Sequence, residues 1–299
     1  MKRYWIAALL VLAMMAALLT GCGEKKQEEA EPDVAKPQVQ EDPDTLECGN
    51  GSTTLRFRKD GDKWVWFDDE EFPLDQSYVQ ALLDTLQGLS ELTPITPAKE
   101  LSEYGLESAK AYILLRNPQG EESVIYLGKT TKDGCYIFDG TEENGIYLAP
   151  TSLKEQISRS IYDMALLPNL PQLTMETMTA LDVTYGDTAQ HFTVKDGAWY
   201  SEGKDVTEQM TAVTEALSQL KLSSCVVYRP ASGAASICGL TKDAAVLTVS
   251  YGEDRTFTLS IGRYRSDSGY YAAVNEDSTI YLLSTELAKP LKTLAKEGL

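Results

Sequence analysis

Ser218 and Lys221 stand three residues apart, the spacing at which a lysine amine can take the proton from a serine hydroxyl. They close an amphipathic stretch and lack the Lys-Thr-Gly such chemistry uses, so an ordinary helix end is the expected role. His191 is the one histidine of the chain, and a lone strand histidine is usually a surface or half-buried side chain. The run Asp68-Asp69-Glu70-Glu71 lacks the spaced oxygen ligands of a calcium loop and reads as a solvated acidic turn. The sequence holds no Cys-x-x-Cys, no histidine cluster, no Gly-x-Ser-x-Gly elbow and no Gly-x-x-x-x-Gly-Lys-Ser/Thr loop. Carboxylates are abundant, but no pair is marked out for glycoside hydrolysis. Tyr136, Tyr147, Tyr270, Tyr271 and Tyr281 could form a stacking platform for a sugar or peptide. Sheets favour tyrosine on packing grounds alone, and that is the expected reading. No catalytic residue, metal site or cofactor is therefore expected.

The thiol with the clearest chemistry is Cys22. Lys2 and Arg3 precede an uncharged stretch from Tyr4 to Leu19, which reads as a secretory signal too short to span a bilayer. Leu19-Thr20-Gly21-Cys22 then looks like the lipobox of bacterial lipoproteins, in which the cysteine is joined to diacylglycerol and residues 1–21 are removed. Two acyl chains hold a protein stably to a membrane. The expectation is an extracytoplasmic protein anchored through Cys22. Residues 22–46 carry charge, Gln and Pro with little that is large and apolar, so they are expected to form a disordered tether.

The formal charge is −18, and loss of Lys2 and Arg3 with the signal makes it −20. Nucleic acid and anionic headgroups both call for a basic surface, so neither is an expected partner through charge. Four cysteines remain besides Cys22: Cys48, Cys135, Cys225 and Cys238. Outside the cell disulfides are permitted, and Cys225 and Cys238 are near enough in sequence to bridge. A buried free thiol is the alternative for each.

The elements that must position these residues come in a repeat. Tyr104-Gly105-Leu106, Leu127-Gly128, Tyr136 and Ile146-Tyr147-Leu148 recur 134 residues later as Cys238-Gly239-Leu240, Ile261-Gly262, Tyr270 and Ile280-Tyr281-Leu282. Leu153 and Ile157 recur as Leu287 and Leu291. Lys59-Asp60-Gly61 matches Lys195-Asp196-Gly197 at an offset of 136, which sets Leu55 against His191, and Trp64 matches Trp199 at 135. Each copy predicts a hairpin about its Asp-Gly, over Thr53 to Arg58 and Lys63 to Phe67 in the first. A helix follows, capped by Asp75, with Val79, Leu82, Leu83, Leu86 and Leu89 on one face. Its counterpart carries Met210, Val213, Leu217 and Leu220. Gly105 is placed as the residue just past a helix end. Strand pairs come next, including the alternating Phe257, Leu259 and Ile261, and a closing helix begins near Ser152. The predicted class is α+β: two tandem homologous domains, 47–165 and 166–299, each an antiparallel sheet with a few helices.

These landmarks together resemble the family of bacterial and archaeal envelope proteins known as domain of unknown function 4340. Its features are an aromatic-bearing hairpin, a helix, a Tyr-Gly-Leu corner, a Leu-Gly or Ile-Gly after a strand, and a late Tyr. The resemblance covers about 48–162 and 180–295, with Cys238 in place of the corner Tyr and Ser108-Ala109 where a Pro often follows. Members often occur as lipoproteins or beside ABC-transporter components, some of a gliding-motility type. The resemblance implies envelope company. The expected function is a non-catalytic binding or scaffolding accessory of an envelope complex. A carboxylate-based envelope hydrolase and a purely structural spacer are the alternatives.

Overall fold

A computed structural model describes residues 36–299 apart from 97, 141–144 and 267, so residues 1–21, expected to be a signal, and Cys22 lie outside the described residues. The first lobe is built on seven strands: β1 (Thr45–Asn50), β2 (Thr54–Asp60), β3 (Lys63–Trp66), β4 (Ala111–Arg116), β5 (Glu122–Thr130), β6 (Cys135–Phe138) and β7 (Tyr147–Ala149). They form one antiparallel sheet in the order β3-β2-β1-β4-β5-β6-β7. The helices α1 (Gln76–Gln87), α2 (Leu101–Tyr104) and α3 (Thr151–Ile157) pack with it. Alternation decides the faces: in β4, Ala111, Ile113 and Leu115 are buried while Tyr112 and Leu114 between them are less so.

The second lobe has nine strands: β8 (Met178–Tyr185), β9 (Thr188–Lys195), β10 (Ala198–Ser201), β11 (Lys204–Asp205), β12 (Leu222–Val227), β13 (Ala245–Tyr251), β14 (Arg255–Arg265), β15 (Gly269–Val274) and β16 (Ile280–Leu283). Their order is β11-β10-β9-β8-β13-β14-β15-β16-β12, again antiparallel. Its helices are α4 (Thr211–Ser218), α5 (Ala234–Ile237) and α6 (Thr285–Glu297). From β10 to β16 the order follows that of β3 to β7, with β11 and β12 added at the two edges. Two antiparallel sheets with helices on each are consistent with two domains.

The helix ends follow their sequence signals. The Asp75 carboxylate accepts the Ser77 N–H at 3.0 Å, and Val79, Leu82 and Leu86 are buried. Gly105 takes φ 72° after α2. Its N–H donates to Ser102 at 3.1 Å and the Leu106 N–H to Leu101 at 2.9 Å, the two bonds of a Schellman end. Gly239 repeats this after α5, with φ 70° and the Leu240 N–H on the Ala235 carbonyl at 2.8 Å.

Each corner then sits on a bulged strand. The pairing register slips after Leu127 in β5 and after Ile261 in β14. The glycines that follow, Gly128 and Gly262, lie directly under the carbonyls of Tyr104 and Cys238, where a Cβ would fall on the carbonyl oxygen. The Arg263 N–H donates to the Cys238 carbonyl at 2.8 Å. From the other side Lys154 of α3 donates to the Gly128 carbonyl at 2.7 Å, and Lys292 of α6 donates to that of Gly262.

Four expectations change. Residues 36–46 are not a free tether: Pro37 and Pro43 are buried, Gln38 donates its N–H to Asp139 at 3.1 Å, and Gln40 donates to Ser123 at 2.9 Å. The first sheet accordingly begins at Thr45. Strands β1 and β8 lie inside their sheets, each paired on both sides, and the sequence pattern marks neither. The hairpins also align at 135 residues, not 136. Phe57 and Phe192 are both core residues, so His191 stands where Arg56 does and not Leu55. The turns accordingly differ, with Gly61 alone at positive φ (59°) in the first and both Asp196 (52°) and Gly197 (76°) in the second.

Gly262→Ala should therefore lower stability by about 1–3 kcal/mol, because the corner cannot yield to a methyl group. Gly88→Ala, at φ −62° with open space around it, should be neutral or stabilising. Denaturant unfolding of the two variants checks the contrast.

Candidate functional site

The sequence candidates do not converge. Ser218 Oγ donates to the Glu215 carbonyl at 2.9 Å, finishing α4, while Lys221 is exposed. His191 lies on an exposed face, its Nδ1 2.7 Å from Asp182. Tyr147 and Tyr281 are core residues, the latter donating its hydroxyl to Asp277 at 2.7 Å. Tyr136 packs edge-on against Tyr104 with ring centres 4.8 Å apart, whereas Tyr270 tilts against Tyr264 at 5.1 Å. Cys238 in the corner position leaves Tyr270 without the ring that Tyr136 meets. These tyrosines share no platform. Among the described residues no group of three or more His, Cys, Asp or Glu could hold a metal ion.

Cys225 and Cys238 are free thiols, as are Cys48 and Cys135, and all four are buried. The possible bridge between Cys225 and Cys238 is not formed, for Cys225 is on β12, outside β16, while the Cys238 carbonyl meets β14, with β15 and β16 between. Burial pushes the Cys48 thiol up to about 12, with Glu47 adding, and that of Cys225 to about 11, with Asp277 adding. Tyr281 is raised as well, first by burial and then by its bond to Asp277.

What the structure does bring together is the boundary between the lobes. Phe72, from the stretch between β3 and α1, is buried among three rings. It meets Trp66 edge-on at 5.5 Å, Tyr162 tilted at 6.3 Å and, across the boundary, Tyr228 edge-on at 5.3 Å. The Tyr228 hydroxyl donates to the Glu71 carbonyl at 2.9 Å, and the Arg229 guanidinium pairs with the carboxylates of Glu71 and Asp69. Asp68 and Glu70 pair instead with Arg56 and Arg58. The acidic run is thus not simply solvated; alternate members face the two lobes. Buried residues of both sheets form one continuous hydrophobic cluster.

Beside this join lies a cleft of about 360 Å³. One wall is Tyr78 of α1, Arg159 after α3, and Tyr162 and Asp163 of the 3-10 turn Ile161–Met164; the other is Ser223, Ser224 and Cys225 of β12. The Arg159 guanidinium rests 4.8 Å above the centre of the Tyr78 ring. Asp163 is committed within its own turn, accepting the Ser160 N–H at 2.9 Å and its hydroxyl at 2.8 Å. A boundary cleft with aromatic rings, a guanidinium and hydroxyls can bind a small polar ligand. No sequence signal marked it, because the residues named on its two walls are 60 or more positions apart.

Antiparallel sheets, corner glycines over strand bulges and a ring-packed join define a two-lobe α+β protein. The chain belongs to the family described as a domain of unknown function, DUF4340, whose model matches residues 64–237. The match is one continuous stretch from β3 to the end of α5, crossing the segment between the sheets. No curated protein and no solved structure matches the chain.

Two outcomes follow. Phe72→Ala should cost about 3–5 kcal/mol and split a single thermal unfolding transition into two, read by calorimetry. The raised thiols and Tyr281 contribute stability that is full below their unfolded values, near 9 and 10. It is lost as pH rises toward about 11–12, where Cys225 and Cys48 ionise in the fold. Stability should therefore fall steeply above about pH 9, and Cys48→Ala should flatten that fall in urea titrations across pH.

Proposed function

We propose that this protein is a lipoprotein held on the outer face of a membrane through Cys22 and built from two copies of one domain. It acts there as a non-catalytic binding or scaffolding accessory of an envelope complex, with ABC-transporter components as the partners to seek. The observation that carries this reading is the join. Two lobes fused through Phe72, Tyr228 and Arg229 form one body with a cleft beside the seam, a shape suited to holding partners. The landmarks repeated along the chain support it too. The corner, the bulge glycine and the lysine on its carbonyl act on packing and hydrogen bonding within each lobe, not on a reacting group. Among the described residues no helix is long and apolar enough to cross a membrane.

Crosslinking of the native protein in its own membrane, followed by mass spectrometry, tests the proposal. Recovery of a permease or ATPase is the expected result. Recovery of cell-wall fragments alone would favour a carboxylate hydrolase, and the next measurement would be turnover by carboxylate variants.

A further inference from the structure

A groove runs between the paired helices of each lobe, and it is filled in the first and open in the second. In the first lobe Tyr78 and Val79 of α1 face Gln156 of α3 and Arg159 just past it. Arg159 lies on the Tyr78 ring, and Gln156 donates to the Ala81 carbonyl at 3.3 Å and the Thr85 hydroxyl at 3.2 Å. Met164, brought round by the 3-10 turn Ile161–Met164, fills the remainder and is only 6% exposed. The space left between the helices is about 10 Å³.

Residues 134 positions further on line the groove of the second lobe: Ala212 and Val213 of α4, with Pro290 and Thr293 of α6. They cannot repeat the bridges. Ala212 has no ring for a cation, Thr293 no guanidinium and Pro290 no side-chain amide. The plug is missing as well, since Leu299, which lines the groove beyond α6, stays 55% exposed. The result is an opening of about 410 Å³ with mostly apolar walls, a form of site that takes apolar side chains from a docked segment.

The first lobe shows what such a groove accepts. Its occupant is a methionine on a tight turn, and the same face carries another lobe, for Tyr78 and Arg159 also line the cleft opposite β12. That face is therefore an interface once in this molecule already. The second lobe presents it open, lined only by residues within 209–213 and 289–299. At its rim Lys289 makes no ion pair among the described residues, which suits it to an incoming carboxylate.

We infer that the groove between α4 and α6 docks a partner protein, which inserts an apolar side chain from a short turn and sets a neighbouring carboxylate against Lys289. The turn Ile161–Met164 is the pattern, with Asp163 beside Met164. The inference deepens the binding role proposed above, rests on it, and gives that role a surface on the second lobe.

The test is fluorescence anisotropy of a labelled peptide of residues 158–168, titrated with the full chain in lipid nanodiscs. The peptide should bind saturably, and the same peptide carrying Met164→Asp should bind about tenfold more weakly. Lys289→Gln in the protein should weaken the unaltered peptide about threefold. A double variant, Ala212→Tyr with Thr293→Arg, restores the first lobe's filling and should abolish binding. Both changes fall at exposed side chains, and circular dichroism with thermal unfolding checks that the fold is kept. No binding of the peptide, or equal binding after any of these three changes, would overturn the inference. So would displacement by dodecanoate at lower concentration than by unlabelled peptide, which would give the groove to an acyl chain. Self-association of the chain that the double variant removes would overturn it too, in favour of a second copy. Failure here alongside a crosslinked envelope partner would move that partner to another surface and leave the accessory role standing.

Discussion

The ring of Phe72 sits where the two sheets meet, and three other rings press on it from both lobes. An aromatic side chain so placed removes a large apolar area from water and also fixes angle, because edge-to-face packing has a preferred geometry. The rest of the boundary is arranged around that contact. Tyr228 follows β12 directly, so seating its ring on Phe72 also brings the edge of β12 to the 3-10 turn Ile161–Met164. Arg229 can then reach the acids beside Phe72, though at half-exposed positions such pairs add register more than stability. Arg229 holds a positive φ of 49°, uncommon for a side chain of its kind, and this turns it back toward Asp69 and Glu71. The cleft is what this seam leaves open.

Within each lobe a second constraint operates, the near contact of a helix-end carbonyl with a bulge glycine. The bulge leaves a backbone carbonyl unpaired in the ladder, and a lysine from the closing helix bonds it in both lobes. Lys154 and Lys292 are 138 residues apart while their target glycines are 134 apart. The two lysines therefore come from different turns of their helices, and what recurs is the need of the carbonyl for a donor, not the position of the side chain.

Much of this was legible locally. Asp75 and Gly105 named their helix ends, Phe257 to Ile261 named a half-buried strand, and the spacing of Leu127-Gly128 and Ile261-Gly262 marked equivalent places. Strand β1 was hidden because Thr45–Asn50 carries Glu47, Gly49 and Asn50 among its few apolar residues, and only pairing on both sides makes it a central strand. Matching Lys-Asp-Gly as letters misplaced the hairpin by one residue, since Gly61 opens the first turn and Gly197 closes the second. Residues 36–44 read as solvated because their composition is polar, while Pro37 and Pro43 are buried and the N–H groups of Gln38 and Gln40 find acceptors in Asp139 and Ser123, much later in the chain. The cleft was invisible for the same reason. Its residues are common types at unremarkable spacing, brought together only by the docking of one lobe on the other.

The join is also one-sided. The first lobe offers an aromatic residue from the stretch between β3 and α1. The matching stretch of the second lobe, residues 202–210, contains no aromatic residue and tucks Val206 into its own core. A head-to-tail contact whose donor and acceptor surfaces both recur on every unit propagates into a filament. Here the acceptor, Tyr228 after β12, meets its donor once and finds no further copy on the far lobe. The aromatic join is therefore made once, by the first lobe upon the second, and the second lobe carries no counterpart of Phe72 through which it could be passed on.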